Sequence, residues 1–433
     1  MEIKTIFALS TAPGKAGLAV VRLSGNESFQ VIKRLSGSVP PPRKAVLRKL
    51  IYDSEFIDQA IVICFSAKQS YTGEDMVEFH THGSSAVLRN LTEVLVSNFG
   101  LIAAAPGEFT RRALENEKMD LLQVEGLLDL INSETKQQKK QALRSLTGKN
   151  SNKSNKWREK LVSALAYIEL MIDFTEEDVP SDTIKEISDI VLWLSDVLET
   201  ELQSYKSSEL IRDGYDVTII GKPNVGKSSL LNYLAGKEKA IVSEHAGTTR
   251  DIIELSIDLQ GYQVNFFDTA GIHRTDDLIE QIGITRAIEK ASSSHVRIFL
   301  LENNDLEDSL QVKARPNDII CGAKSDIWQH PNRLNISAKT GEGVEKLLEE
   351  IRKRITQETQ LTSILINERH KDTIKCALSY LNITKRELKR NNLQIEIVAE
   401  NLRLATVQLD LLIGKINVED VLGSIFASFC IGK

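Results

Sequence analysis

Cysteine is scarce in this chain: four in 433 residues, Cys64, Cys321, Cys376 and Cys430, with no Cys-x-x-Cys pair. Thiols so few and so far apart argue against a disulfide framework or a zinc site and favour a reducing compartment, the cytoplasm. No apolar run approaches the ~20 residues needed to cross a bilayer. The opening Met1-Glu2-Ile3-Lys4-Thr5 leads into strand-like sequence rather than a signal peptide. The sequence therefore predicts a soluble intracellular protein with no membrane association. Positive charge is not in excess either, since the formal net charge is −6. Any RNA contact has to come from a local basic surface.

The length leaves room for about three domains. From Ile3 to about Glu115 the texture is mixed and β-branched. Residues 6–9, 17–23 and 60–65 read as strands, and 86–95 carries apolar residues at helical spacing, which together predict a small α+β domain. After Gly107-Glu108-Phe109-Thr110 the texture is helical to about Arg212, with the polar segment 148–156 read as a loop or a frayed helix. From Tyr215 to Thr356 strand and helix signals alternate, and helix returns from Arg369 onward. The expected architecture is multidomain, α/β plus α. It consists of an α+β domain over 1–116, a discontinuous helical domain over 117–211 and 358–433, and an inserted α/β domain over 212–357.

The chain is organised around Gly221-Lys222-Pro223-Asn224-Val225-Gly226-Lys227-Ser228, spaced G-x-x-x-x-G-K-S. An apolar run, 217–220, precedes it and Ser229-Leu230-Leu231 follows, which is the order strand, glycine-bounded loop, helix. Nucleotide phosphates need several backbone N–H groups converging on one concavity, and glycines permit this by lacking Cβ. The helix adds its partly positive N-terminus. Lys227 can reach the β- and γ-phosphates, and the Ser228 hydroxyl can ligate Mg²⁺.

Downstream elements separate GTP from ATP. Asp268-Thr269-Ala270-Gly271 closes the apolar strand 264–267, where the aspartate can hold Mg²⁺ through water and the glycine N–H can sense the γ-phosphate. Gly247-Thr248-Thr249-Arg250 offers a switch threonine over Mg²⁺. Ser337-Ala338-Lys339, after a strand at Asn335-Ile336, offers backbone N–H to the guanine carbonyl. In this order and spacing the elements resemble a Ras-like P-loop GTPase. The Asn-Lys-x-Asp motif of that class stands here as Ala323-Lys324-Ser325-Asp326. Asp326 can still accept from the guanine N1 and N2 hydrogens. Ala323 lacks the carboxamide that contacts N7 and braces the loop, and one such contact is worth ~1 kcal/mol. GTP specificity with weakened affinity is the expectation.

Ile272, after the Gly271 position, can neither orient nor deprotonate water. Asn224 has two open readings: its side-chain oxygen faces a monovalent cation that supplies the charge of an arginine finger, or it only shapes the loop. Glu280 either holds the water or is a solvated surface carboxylate. His80 and His82 lack an evident third ligand, so a metal pair is not expected there.

Flanking motifs extend the comparison. Ser70-Tyr71-Thr72-Gly73-Glu74-Asp75-Met76-Val77-Glu78, Pro106-Gly107-Glu108-Phe109-Thr110-Arg111-Arg112-Ala113, Lys118-Met119-Asp120-Leu121-Leu122-Gln123-Val124-Glu125 and the terminal Cys430-Ile431-Gly432-Lys433 resemble the tRNA-modification GTPase MnmE (TrmE) family along essentially the whole chain. The resemblance implies a K⁺-activated GTPase that, with the flavoprotein MnmG (FAD) in a heterotetramer, installs a carboxymethylaminomethyl-type (aminomethyl) group on C5 of the tRNA wobble uridine. A 5-formyl- or methylene-tetrahydrofolate supplies the carbon. It also implies a homodimer through the N-terminal domain, with the G domains dimerising during hydrolysis.

Residue by residue, the resemblance makes Asn224, Ser243, His245 and Thr248 the K⁺ ligands, and Ser228 and Thr249 the Mg²⁺ ligands. Lys227, Glu280, Arg250 and Cys430 become the catalytic candidates, although Cys430 has a packing role as its open alternative. The GTP contacts span Asn224 to Ser229, then Ser243, Glu244, His245, Ala246, Gly247, Thr248 and Thr249, then Asp268, Thr269, Ala270 and Gly271. Lys324, Asp326, Ser337, Ala338 and Lys339 complete them. Arg22, Glu78, Lys118 and Lys433 fall at the folate positions. Ala103-Ala104-Ala105-Pro106 lacks an arginine often found before this proline, and Thr81-His82-Gly83-Ser84 lacks a second glycine. Weaker folate binding is expected. A GTPase switch that binds RNA or ribosomes without modifying them is the competing expectation.

Overall fold

The computed structural model describes residues 4–173, 182–237, 240–241, 255–268, 288–302, 313–358, 363–416 and 419–432. Its described strands and helices, in chain order, are β1 Ile6–Leu9, β2 Ala16–Ser24, α1 Ser28–Ser36, β3 Val46–Tyr52, β4 Glu55–Phe65, β5 Met76–Gly83, α2 Ser85–Glu93, β6 Ile102–Ala103, α3 Glu108–Glu115, α4 Leu121–Ile131, α5 Lys136–Leu146, α6 Lys149–Asp173 and α7 Thr183–Asp213. Then follow β7 Tyr215–Ile220, α8 Lys227–Lys237, β8 Leu255–Leu259, β9 Tyr262–Asp268, β10 Val296–Leu301, β11 Ile319–Gly322, β12 Leu334–Asn335, α9 Val344–Glu358, α10 Glu368–Glu387, α11 Ile395–Ile413 and α12 Glu419–Ala427. Contacts gather into two compact units, one of residues 1–128, 146–159 and 406–433, the other of 129–145 and 160–405.

The first unit holds a six-stranded sheet in the order β3-β4-β5-β2-β1-β6. Pairing is antiparallel except between β1 and β6. Helix α1 packs on it because Val31, Ile32 and Leu35 recur at helical spacing and are fully buried. Its end is a left-handed Gly37 at φ 80°, whose N–H returns to the Lys33 carbonyl. These side chains meet Leu23, Leu50, Val62 and Phe79 of the sheet. Burying each such side chain contributes about 1.5–3 kcal/mol.

The family-like motifs of this unit meet in space. Arg112 of α3 is buried and bonds Glu74 at 2.9 Å, the Ser24 carbonyl at 3.5 Å and the Lys4 carbonyl at 3.0 Å. Gly73 sits where a Cβ would lie 2.7 Å from Asn116, whose amide donates to the Thr72 carbonyl. A charge so enclosed is tolerated only with its partners in place. Strands β3, β5 and β6 and helix α1 add to the three strands expected from sequence.

In the second unit the sheet order is β12-β11-β10-β7-β9-β8, parallel except for the β8–β9 pair. That is the Ras-like P-loop arrangement. Strand β10 is buried along its whole length, as a parallel strand covered on both faces must be. The β8–β9 hairpin turns at Gln260 and Gly261, both at positive φ (52° and 99°), the backbone that a two-residue primed turn requires.

Helix α5 opens on a capping box. The Thr135 hydroxyl accepts from Gln138 N–H at 3.4 Å, and Gln138 Oε1 accepts from Thr135 N–H at 3.0 Å. The remaining amide of Gln138 donates to Gln263 Oε1 of β9 at 2.7 Å and to the Arg212 carbonyl at 2.9 Å. Elsewhere the buried Glu201 carboxylate of α7 accepts from Ser363 Oγ at 2.7 Å and Ile364 N–H at 2.8 Å.

Residues 148–156, expected as a loop or a frayed helix, take the helical alternative. From Lys149 they are the first turns of α6, helical because Asn150, Ser151 and Ser154 turn inward with Trp157. The strand expected at Asn335-Ile336 is β12, Leu334–Asn335.

Candidate nucleotide site

β7 lies between β9 and β10, so the loop after it emerges at the carboxyl ends of the central parallel strands, the usual ligand crevice of such sheets. The loop is tight at two points. A Cβ on Gly221 would stand 2.7 Å from the Leu300 carbonyl, and Asn224 adopts φ 62°, a left-handed conformation that asparagine tolerates better than most residues. Val225 plugs the loop into the core at 1% exposure. Lys227 is buried at the start of α8, and its ammonium donates to the Gly221 and Lys222 carbonyls at 3.1 and 3.2 Å. Thus its charge bridges the loop that it is expected to serve.

Ser228 Oγ donates to Asp268 Oδ2 at 3.0 Å. The other oxygen, Oδ1, is buried, has no hydrogen-bond partner among the described residues and lies 4.0 Å from Lys227 Nζ. A hydroxyl, a carboxylate and an orphaned carboxylate oxygen at the foot of the phosphate loop suit a hydrated Mg²⁺.

The guanine side is built by the loop after β11 and the turn after β12. A cavity of about 270 Å³ joins it to the phosphate loop. Asn224, Val225, Gly226 and Ser229 line one end; Lys324, Asp326, Ser337, Ala338 and Lys339 line the other. Ser337 Oγ donates to Asp326 Oδ1 at 2.7 Å. That bond first, with help from the Lys339 and Lys324 charges, holds the Asp326 carboxyl below its usual range, so it stays an acceptor for N–H donors. Lys324, at φ 56°, pairs with Glu302 at 2.8 Å.

Glu302, Leu300, Ile327 and Ile336 were not singled out from sequence. Ile327, at 64% exposure directly after Asp326, was the one visible signal: a bare apolar residue on a loop.

Ala323 is buried and also lines the cavity. The segment after Asp326 is already braced by Asn335. That side chain accepts from His330 N–H and donates to the His330 carbonyl, both at 2.9 Å. Ala323→Asn is therefore expected to add only the base contact. GTP affinity should tighten about fivefold in a calorimetric titration.

Of the other sequence candidates, Ser243, Glu244, His245, Ala246, Gly247, Thr248, Thr249, Arg250, Thr269, Ala270, Gly271, Glu280 and Lys433 lie outside the described residues.

In the first unit, Arg22 and Glu78 pair at 2.9 Å across β2 and β5, and the Arg22 guanidinium lies 5.6 Å from the Tyr71 ring. The C-terminal tail reaches this pair. The Gly432 carbonyl accepts from Ser10 Oγ at 3.0 Å and from Arg22 at 3.5 Å, and a Cβ on Gly432 would stand 2.3 Å from the Leu9 carbonyl. Lys118 is exposed and donates to the Lys68 carbonyl instead. Cys430 is exposed. His82 is engaged by Asp58 at 2.8 Å, and His80 lies 3.4 Å from Glu78. Among the described residues no helix is long and apolar enough to cross a membrane.

Comparison with known proteins meets this geometry from the other side. The family described as MnmE helical domain matches residues 121–430, and GTP-binding protein TrmE N-terminus matches 5–118. The tRNA modification GTPase MnmE of Dinoroseobacter shibae is 46% identical over 430 residues, covering 99% of this chain and 100% of that protein. Its counterpart in Cereibacter sphaeroides is 44% identical over 429 residues, with the same coverage. The solved FeoB G-domain of Methanococcus jannaschii is 21% identical over 33% of this chain and 98% of that one, at a TM-score of 0.26 that carries no weight beside the strand order above. With residues 5–118 and 121–430 matched by two family descriptions and its full length by such relatives, the chain belongs to the MnmE family of tRNA modification GTPases.

Proposed function

We propose that the chain hydrolyses GTP and that this turnover drives modification of C5 of the tRNA wobble uridine in the cytoplasm. The supporting observation is the cavity that joins a phosphate loop to an ionised Asp326, in a chain of this family. Hydrolysis needs the γ-phosphate held by Lys227 and the loop N–H groups, with Ser228, Asp268 and Thr249 as the set for Mg²⁺. Mg²⁺, when bound, offsets charge on the β- and γ-oxygens. Asn224, Ser243, His245 and Thr248 are the proposed K⁺ ligands. Asn224 fits that role because its exposed carboxamide makes no hydrogen bond to a described residue. K⁺, when bound, adds positive charge beside the transferring phosphoryl group. Glu280 is proposed to position water, with Arg250 contributing charge.

Arg22, Glu78, Lys118 and Lys433 are the proposed folate residues. The fit rests on Glu78 Oε2, whose one hydrogen bond among the described residues, with His80, is long at 3.4 Å. It can therefore accept from a pterin's donor edge. Cys430 is proposed to act in the carbon transfer at that site. A 5-formyl- or methylene-tetrahydrofolate as donor and a flavoprotein partner of MnmG type (FAD), in a heterotetramer, complete the reading.

A homodimer through the N-terminal domain accords with the outer face of the β3–β4 hairpin. Leu47 opposes Ile61 and Ile51 opposes Phe56, all four at least 40% exposed. The G domains would dimerise during hydrolysis. The division into 1–116, 117–211, 212–357 and 358–433 is retained, in accord with family matches that meet between residues 118 and 121.

Mass spectrometry of wobble nucleosides from cells lacking this protein tests the reading. Loss of the C5 group, restored by the wild-type chain, is expected. Unchanged wobble uridines would refute it and favour a GTPase switch that binds RNA without modifying it.

A further inference from the structure

Between Thr135 and Arg158 the chain carries eight Lys and Arg and no Asp or Glu, in a protein of formal net charge −6. Within the second unit, the first part of this run is α5. Lys136, Lys139 and Lys140 are all exposed there, at i, i+3 and i+4, and so share one side of the helix. Ala142 and Ser145 turn inward. Among the described residues none of the three ammonium groups has an ion-pair partner, and the first turn of α5 has no acidic residue. Three mutually repelling cations at the start of a helix oppose its macrodipole. That arrangement lacks an internal reason and suits an external polyanion.

The pose of α5 is also fixed from below. Its capping glutamine, Gln138, bonds Gln263 of β9 at 2.7 Å, and Gln137 N–H donates to the Gly261 carbonyl at 3.1 Å in the β8–β9 turn. In sequence these two strands lie between 242–254 and 269–287, the segments expected to respond to nucleotide.

We propose that the lysine face of α5 docks the phosphate backbone of tRNA, a surface that rests on the tRNA reading above. Phosphate contacts fix position and orientation without reading sequence. RNA held there is tied through Gln138 to the strand pair of the nucleotide domain. By linkage, nucleotide state and RNA affinity then influence each other reciprocally.

The test titrates the full chain with a labelled tRNA transcript over a range of KCl concentrations. For K136A/K139A/K140A the affinity should fall about tenfold or more, and the slope of log affinity against log salt should become shallower by about 3. GTP turnover should not change, and a control triple of lysines elsewhere in this unit, K346A/K353A/K375A, should bind as wild type. Unchanged affinity and slope in the α5 variant would overturn the proposal, as would loss of the flavoprotein complex with RNA binding intact, which would assign the face to a protein. Failure of the functional reading is seen separately. A chain that binds tRNA through α5, but whose deletion leaves wobble uridines modified, keeps this surface and loses that function.

Discussion

Asn224→Gly should abolish K⁺ stimulation of GTP hydrolysis, lowering turnover in K⁺ by about 10²-fold while turnover in Na⁺ stays unchanged. The substitution separates two roles that the sequence leaves entangled. Asn224 sits at φ 62°, so part of the reason for asparagine there is backbone conformation. Glycine adopts that φ at no steric cost and so keeps the loop while removing the carboxamide. Alanine would strain the loop and confuse both effects. Turnover is compared in KCl and NaCl at equal ionic strength. If the glycine variant keeps its full response to K⁺, the side chain shapes the loop and does nothing more.

Asp326→Asn should exchange GTP for XTP. The Asp326 carboxylate accepts from Ser337 and is kept ionised, which leaves it suited to the two N–H donors of guanine. An asparagine presents one acceptor and one donor instead. Guanine then loses a charge-assisted bond and faces a donor where it also donates, a loss of about 10²–10⁴-fold in affinity from contacts worth about 1.5–3 kcal/mol each. Xanthine carries a carbonyl at C2 and takes the new donor. Competition titrations with both nucleotides measure the exchange. Equal GTP affinity in wild type and variant would remove Asp326 from base recognition.

The nucleotide site was legible because its signals are local. An apolar strand, two glycines, a lysine and a helix follow one another over a dozen residues, and the structure builds β7, the loop and α8 from them. Asp326 and Ser337 were legible by spacing, and their hydrogen bond explains the pairing. Asn335 was not, since its role is to brace His330 from another strand, a contact that no local pattern announces. Strand β3 escaped because Arg48 and Lys49 interrupt its apolar alternation on an edge strand. The start of α6 stayed open between a loop and a frayed helix for the opposite reason. Its Asn and Ser residues have low helix propensity, and burial against Trp157 overrides it. Arg22 and Glu78 were named by resemblance, and only the register of β2 with β5 gives their pairing a physical cause.

The central claim is that nucleotide turnover at this site powers wobble modification, and the nucleotide exchange at Asp326 gives it a direct test. The Asp326→Asn chain is combined with the flavoprotein partner, a folate carbon donor and unmodified tRNA, and wobble nucleosides are quantified with GTP or XTP as the sole triphosphate. The account predicts modified uridine with XTP and almost none with GTP, the reverse of wild type. Modification that proceeds equally with either nucleotide, or with none, would contradict it.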